Sequence, residues 1–135
     1  MLKDKGLQAP VNEIKLMLEA GCVYRYAKRY REARDIFQGV RVLLPTREIG
    51  DLALAGVSMD EGKLNEAETH CLRALELNRA SAAAYAQLGE IQLRQNNSTG
   101  ARQSLQKSME ISPRGPTAAW ATTLLKLASH IASKG

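Results

Sequence analysis

Glu61-Gly62-Lys63-Leu64-Asn65-Glu66-Ala67 and Gln95-Asn96-Asn97-Ser98-Thr99-Gly100-Ala101 stand 34 residues apart, and this interval decides the fold. In each stretch a turn former, Gly62 or Asn96, precedes a helix-forming run. Such a residue takes the left-handed conformation that ends one helix, and an Asn after it caps the next. The same register sets Arg73-Ala74-Leu75-Glu76-Leu77-Asn78 over Lys107-Ser108-Met109-Glu110-Ile111-Ser112. One interval further back, Tyr30-Arg31-Glu32-Ala33 falls under Leu64-Asn65-Glu66-Ala67. Three units, 14–47, 48–81 and 82–115, thus run without insertion or deletion. A fixed period of about 20–50 residues is the mark of stacked supersecondary repeats.

Each unit carries two apolar patterns at helical spacing. In the third, Tyr85, Leu88, Gly89 and Leu93 stripe one helix, and Ala101, Leu105, Ser108 and Met109 stripe the next. Pro45 and Pro113 follow helices that must stop. No stretch alternates with period two, so no strand is expected. Residues 116–133 read as a seventh helix, with Leu124, Leu127, Ala128 and Ile131 on one face, that caps the open end of the stack. Residues 1–12, with Gly6 and Pro10, read as a flexible lead-in.

These units resemble the tetratricopeptide repeat, a 34-residue helix–turn–helix of pattern W-x2-L-G-x2-Y…A-x3-F…P. The third unit has Tyr85, Leu88-Gly89, Ala101, Leu105 and Pro113 at the pattern positions. The first has Gly21, Tyr24, Ala33, Phe37 and Pro45, and the second has Leu54, Ala55, Ala67 and Ala74. Arg79 stands for the closing Pro of the second unit, Asp51 for its Trp, and Lys28 for the Gly of the first inter-helix break. The resemblance implies an all-α, right-handed solenoid of three tetratricopeptide repeats with a C-terminal capping helix.

By the same resemblance, the first helix of each pair lines a concave groove. The inward positions fall on Leu18, Cys22 and Tyr26, on Ile49, Leu52, Ala53, Gly56 and Met59, and on Ala86, Gln87, Glu90 and Leu93. The central set is almost entirely apolar and suits an apolar helix or extended segment of another protein. The alternative occupants are the protein's own tail or lead-in and a second copy of the chain, as in a scaffold subunit that homodimerises through the same patch. On this reading Leu52→Glu and Met59→Glu leave folding intact and abolish capture. Some tetratricopeptide co-chaperones hold a chaperone's terminal carboxylate with Lys and Asn at positions that here read Leu18, Cys22, Ala53, Ala83 and Gln87, so that chemistry is not expected. A three-repeat chain of this size is similar to the small chaperones of bacterial type III secretion, which shield translocator or needle subunits.

Composition removes other classes. Of 135 residues, 44% are apolar and 24% charged, as in an ordinary globular chain, and the net charge of +5 is too small to argue for nucleic acid or acidic lipid. Arg25, Lys28, Arg29 and Arg31 make a basic edge among Tyr24, Tyr26 and Tyr30. Because Arg31 and Arg34 alternate with Glu32 and Asp35, an acidic protein fits that edge better than single-stranded nucleic acid. His70 and His130 have no second ligand at helical spacing, and there is no phosphate loop or nucleophile elbow. Neither catalysis, nor a metal, nor a cofactor is expected. Cys22 and Cys71 make no disulfide framework, and no apolar run is long enough for a signal core or a membrane span. A reducing, cytoplasmic setting is the expectation.

Overall fold

The computed structural model describes residues 2–134, with the side chains of 11–131. Among the described residues seven helices follow one another: α1 (Leu2–Tyr26), α2 (Tyr30–Leu43), α3 (Ile49–Asp60), α4 (Leu64–Leu77), α5 (Ala82–Arg94), α6 (Ser98–Ile111) and α7 (Pro116–Lys134). Val11 and Asn12, placed by the sequence in the lead-in, belong to α1. The rest of that segment lies outside the residues whose side chains are described.

The turns inside the pairs are built alike. Lys28 and Asn96, each at φ 63°, and Gly62, at φ 78°, take the left-handed conformation at 34-residue intervals. At each turn a backbone N–H three residues past the helix bonds back five residues, Arg29 to Tyr24, Lys63 to Ser58 and Asn97 to Gln92, all at 2.8 Å. This is the Schellman closure, which satisfies carbonyls that the helix end leaves open. Asn97 then caps α6 by accepting from Gly100 N–H at 3.0 Å, and Ser81 caps α5 by accepting from Ala84 N–H at 3.1 Å. Lys28 adopts with a side chain what Gly62 adopts without one, at a cost of about 1 kcal/mol. Lys28→Gly is therefore expected to raise the thermal midpoint by a few degrees, about 1 kcal/mol at most. A lower midpoint in a thermal melt would mean that the Lys28 side chain supplies more than the strain removes.

Successive helices pack in sequence order, with α7 against both α6 and α5. The core is accordingly a chain of contacts: Ala33, Phe37, Leu54 and Val57 join α2 to α3, and Met59, Cys71 and Ile91 help join α3, α4 and α5. Leu105 and Ala121 join α6 to α7. Such nearest-neighbour packing defines an all-α helical repeat solenoid. Within each pair a small residue lies under a larger one. Gly21 faces Phe37 and Gly89 faces Leu105, while Ala55 and Cys71 share one cluster.

Candidate functional site

The first helices of the pairs and the last helix enclose a hollow of about 310 Å³. Leu18 enters it from α1, Ile49, Leu52 and Ala53 from α3, Ala83 and Gln87 from α5, and Trp120 from α7. Gln87 Nε2 donates to the Leu52 carbonyl at 3.0 Å, which ties α5 to α3 beneath the hollow. The amide therefore spends a donor inside the protein and leaves an apolar lining. Trp120, 37% exposed, also borders a second hollow of about 430 Å³ between α5 and α7. There Leu93, Leu124, Leu127 and Ile131 meet Glu90, Arg94 and Thr123.

Of the residues expected in the groove, Leu18, Ile49, Leu52, Ala53 and Gln87 meet in the first hollow, and Glu90 and Leu93 border the second. Met59 is a correction. It is 4% exposed and packs with Ala55, Ala67, Cys71, Ala84, Leu88 and Ile91. Four residues past Ala55, it follows that residue onto the α4 side of its helix. Ala86 is likewise enclosed, against Leu105 and Ala121. Cys22 is exposed and Tyr26 is 91% exposed, and neither borders either of these two hollows.

Gly56 is buried for a different reason. A Cβ there would stand 2.6 Å from Arg25 Nη1, so the glycine makes room for a guanidinium lying across the inner face. Arg25 donates to Asp60 Oδ2 at 2.5 Å and Oδ1 at 3.1 Å. This bidentate pair holds the guanidinium more firmly protonated than usual, against the opposing effect of its burial. With the Glu90–Arg94 pair at 2.9 Å, it makes the polar margin of the inner face.

The basic edge is corrected in the same step. Arg25 faces inward and is paired, and Arg29 is paired with Glu32 and lies 5.8 Å over the Tyr24 ring. Lys28 and Arg31 remain exposed on the turn and the first turn of α2. The four do not form one cationic surface. Burial pushes the Cys71 thiol up to about 12, and its Sγ donates to the Ala84 carbonyl at 3.0 Å, a packing role. The sequence marks α7 as a cap with Leu124, Leu127, Ala128 and Ile131 on one face; in the structure Leu124, Leu127 and Ile131 of that face wall the second hollow beside Trp120.

Among the described residues no helix is long and apolar enough to cross a membrane. No curated protein sequence matches the chain. Residues 82–114 match the family model of the tetratricopeptide repeat. Several solved structures share the fold. The first tetratricopeptide domain of Spaghetti (RPAP3), bound to the HSP90 peptide SRMEEVD, is 22% identical with a TM-score of 0.74, over 90% of this chain and 94% of that one. The Sgt2 tetratricopeptide domain from Aspergillus fumigatus is 18% identical with a TM-score of 0.78, over 91% and 83%. The Yersinia enterocolitica type III secretion chaperone SycD, in complex with a peptide of the translocator YopD, is 14% identical with a TM-score of 0.73, over 87% and 93%. With one unit matched in sequence and the remainder in structure, the chain has the tetratricopeptide repeat fold, and residues 82–114 are a tetratricopeptide repeat.

Proposed function

We propose that this chain is a protein-interaction module that receives an apolar segment of a partner protein in the hollow between α1, α3, α5 and α7. The observation that carries this reading is the lining itself. Leu18, Ile49, Leu52, Ala53, Ala83 and Trp120 converge on one open concavity, and contiguous exposed apolar surface on a folded protein marks a contact site. Proteins of the same fold hold peptides, an HSP90 peptide in Spaghetti and a YopD peptide in SycD. The lining favours an apolar occupant over an acidic tail. Among the described residues no cation borders the first hollow, and Arg25, which lies against Gly56 of α3, is held by Asp60. A carboxylate placed there would lose its hydration without a partner. The narrower form of the reading is a cytoplasmic chaperone of the type III secretion kind, supported by the similarity to SycD. No catalytic role is part of it.

Trp120, the sole tryptophan, makes the test direct. Synthetic amphipathic and extended apolar peptides are titrated into the protein while its emission is followed and the mass is measured by light scattering. A saturable blue shift at constant protein mass is the expected result. A shift that grows with protein concentration in the absence of peptide, together with a doubled mass, would assign the hollow to homodimerisation instead. An emission that no peptide moves would remove the groove reading.

A further inference from the structure

We infer that a second binding site, for an aliphatic monocarboxylate, lies on the face built by α2 and α4, away from the apolar hollow. Its centre is Asp51, the residue that departs from the aromatic position of the repeat pattern. Asp51 is 1% exposed, and neither carboxylate oxygen has a hydrogen-bond partner among the described residues. Arg41 Nε approaches one oxygen to 3.6 Å and Arg73 Nε the other to 4.0 Å, while His70 Nδ1 stands 3.7 Å from the first. All are ion-pair distances too long for hydrogen bonds.

A buried carboxylate without hydrogen bonds is costly, and a hollow of about 410 Å³ opens directly over it. Arg41 and Arg73 flank that hollow, and Val42, Pro45 and Leu77 supply its apolar wall. Among the described residues neither guanidinium makes any hydrogen bond. Both are turned to Asp51 by Nε, which leaves the Nη ends available. A guanidinium offers two edges, each able to hold an oxyanion. A ligand carboxylate bound at the Nη ends would draw the two forks together, and the Nε edges would close on Asp51 as they moved.

Charge selects the ligand class. The two guanidiniums and Asp51 sum to one positive charge, which a monocarboxylate neutralises. A phosphate dianion would instead leave a net negative charge beside a buried carboxylate, an unfavourable juxtaposition. The wall of Val42, Pro45 and Leu77 fits an aliphatic body beside the carboxylate, as in the terminal residue of a peptide or a small free acid. The two sources share one chemistry.

N-acetylleucine is the probe, with its uncharged amide and inorganic phosphate as controls, and the arginine Nε–H signals of the isotopically labelled protein are the readout. Saturable shifts at Arg41 and Arg73 with N-acetylleucine, absent with the amide, are expected. Arg73→Gln, at a half-exposed position, should weaken the binding about tenfold or more. Arg73→Lys, which keeps the charge and loses the fork, should also weaken it. A leucine-terminated peptide that binds more tightly than N-acetylleucine would place the site on a chain end, and equal binding would place it on a free acid. Shifts that do not saturate, an amide that binds as well as the acid, or phosphate that binds more tightly than the acid would each overturn the site.

Discussion

Gly21→Ala is expected to destabilise the protein by about 2 kcal/mol, although it replaces a mid-helix glycine with the best helix former. The propensity gain is about 1 kcal/mol, and overpacking of a filled core costs up to about 3. Contact decides the balance. The new Cβ would stand 2.2 Å from Phe37 Cε1 and 2.6 Å from Cζ. Phe37 is fully buried among Ala33, Leu54 and Val57, so its ring has no space to move into. The second unit carries Ala55 and Cys71 at the corresponding places, a larger residue against a smaller one. The cycle that tests the pairing is therefore Gly21→Ala alone and in a Phe37→Cys background, with each urea midpoint measured. In the cysteine background the clash is gone and only the propensity gain remains, so the effect of Ala should fall to zero or change sign. An equal cost in both backgrounds would mean that the strain lies in the backbone and not against the ring.

That pairing was legible in the sequence because it repeats. Gly21, Ala55 and Gly89 recur at the same interval, as do Lys28, Gly62 and Asn96, and the first of these sets packs as its register implies while the second turns as its register implies. Local chemistry explains the success, since a left-handed turn and its cap depend on residues a few places apart. Orientation in α3 was legible only in part, since Ile49, Leu52 and Ala53 reach the hollow and Met59 does not. Leu52, Ala53, Leu54, Ala55, Val57 and Met59 are apolar on every side of that helix, which packs on α2, α4 and α5, so no polar face marks the one that opens on the hollow. Arg25 was misread for a different reason. Its partner, Asp60, lies 35 residues away, and nothing in either neighbourhood links the two. Trp120 and the α7 wall fall outside the repeat register, so the pattern that located the inner face could not extend to them.

The largest expected contrast in the molecule is between two glutamates. Met59→Glu should leave the chain largely unfolded. It places an ionised group among Ala55, Ala67, Cys71, Leu88 and Ile91, with no described polar side chain in that cluster to receive it. Loss of the methionine's packing alone costs about 2–5 kcal/mol, and the buried charge adds several more, against a total stability of about 5–15 for a typical domain. Ala83→Glu should behave in the opposite way. Ala83 is exposed at the start of α5, where the N-terminal helix dipole favours a carboxylate by a few tenths of a kcal/mol, so the fold should hold or gain slightly. Yet the same side chain borders the apolar hollow. An apolar segment seated there would bury the new charge, at a cost of at least about 2 kcal/mol, or roughly thirtyfold in affinity. Circular dichroism and the Trp120 titration read the two effects separately. If Ala83→Glu binds apolar peptides as the parent does, the hollow is not the groove, whatever Met59→Glu does to the fold. If Met59→Glu melts with the parent, α3 is turned so that the methionine faces solvent, and the inner face must be redrawn around it.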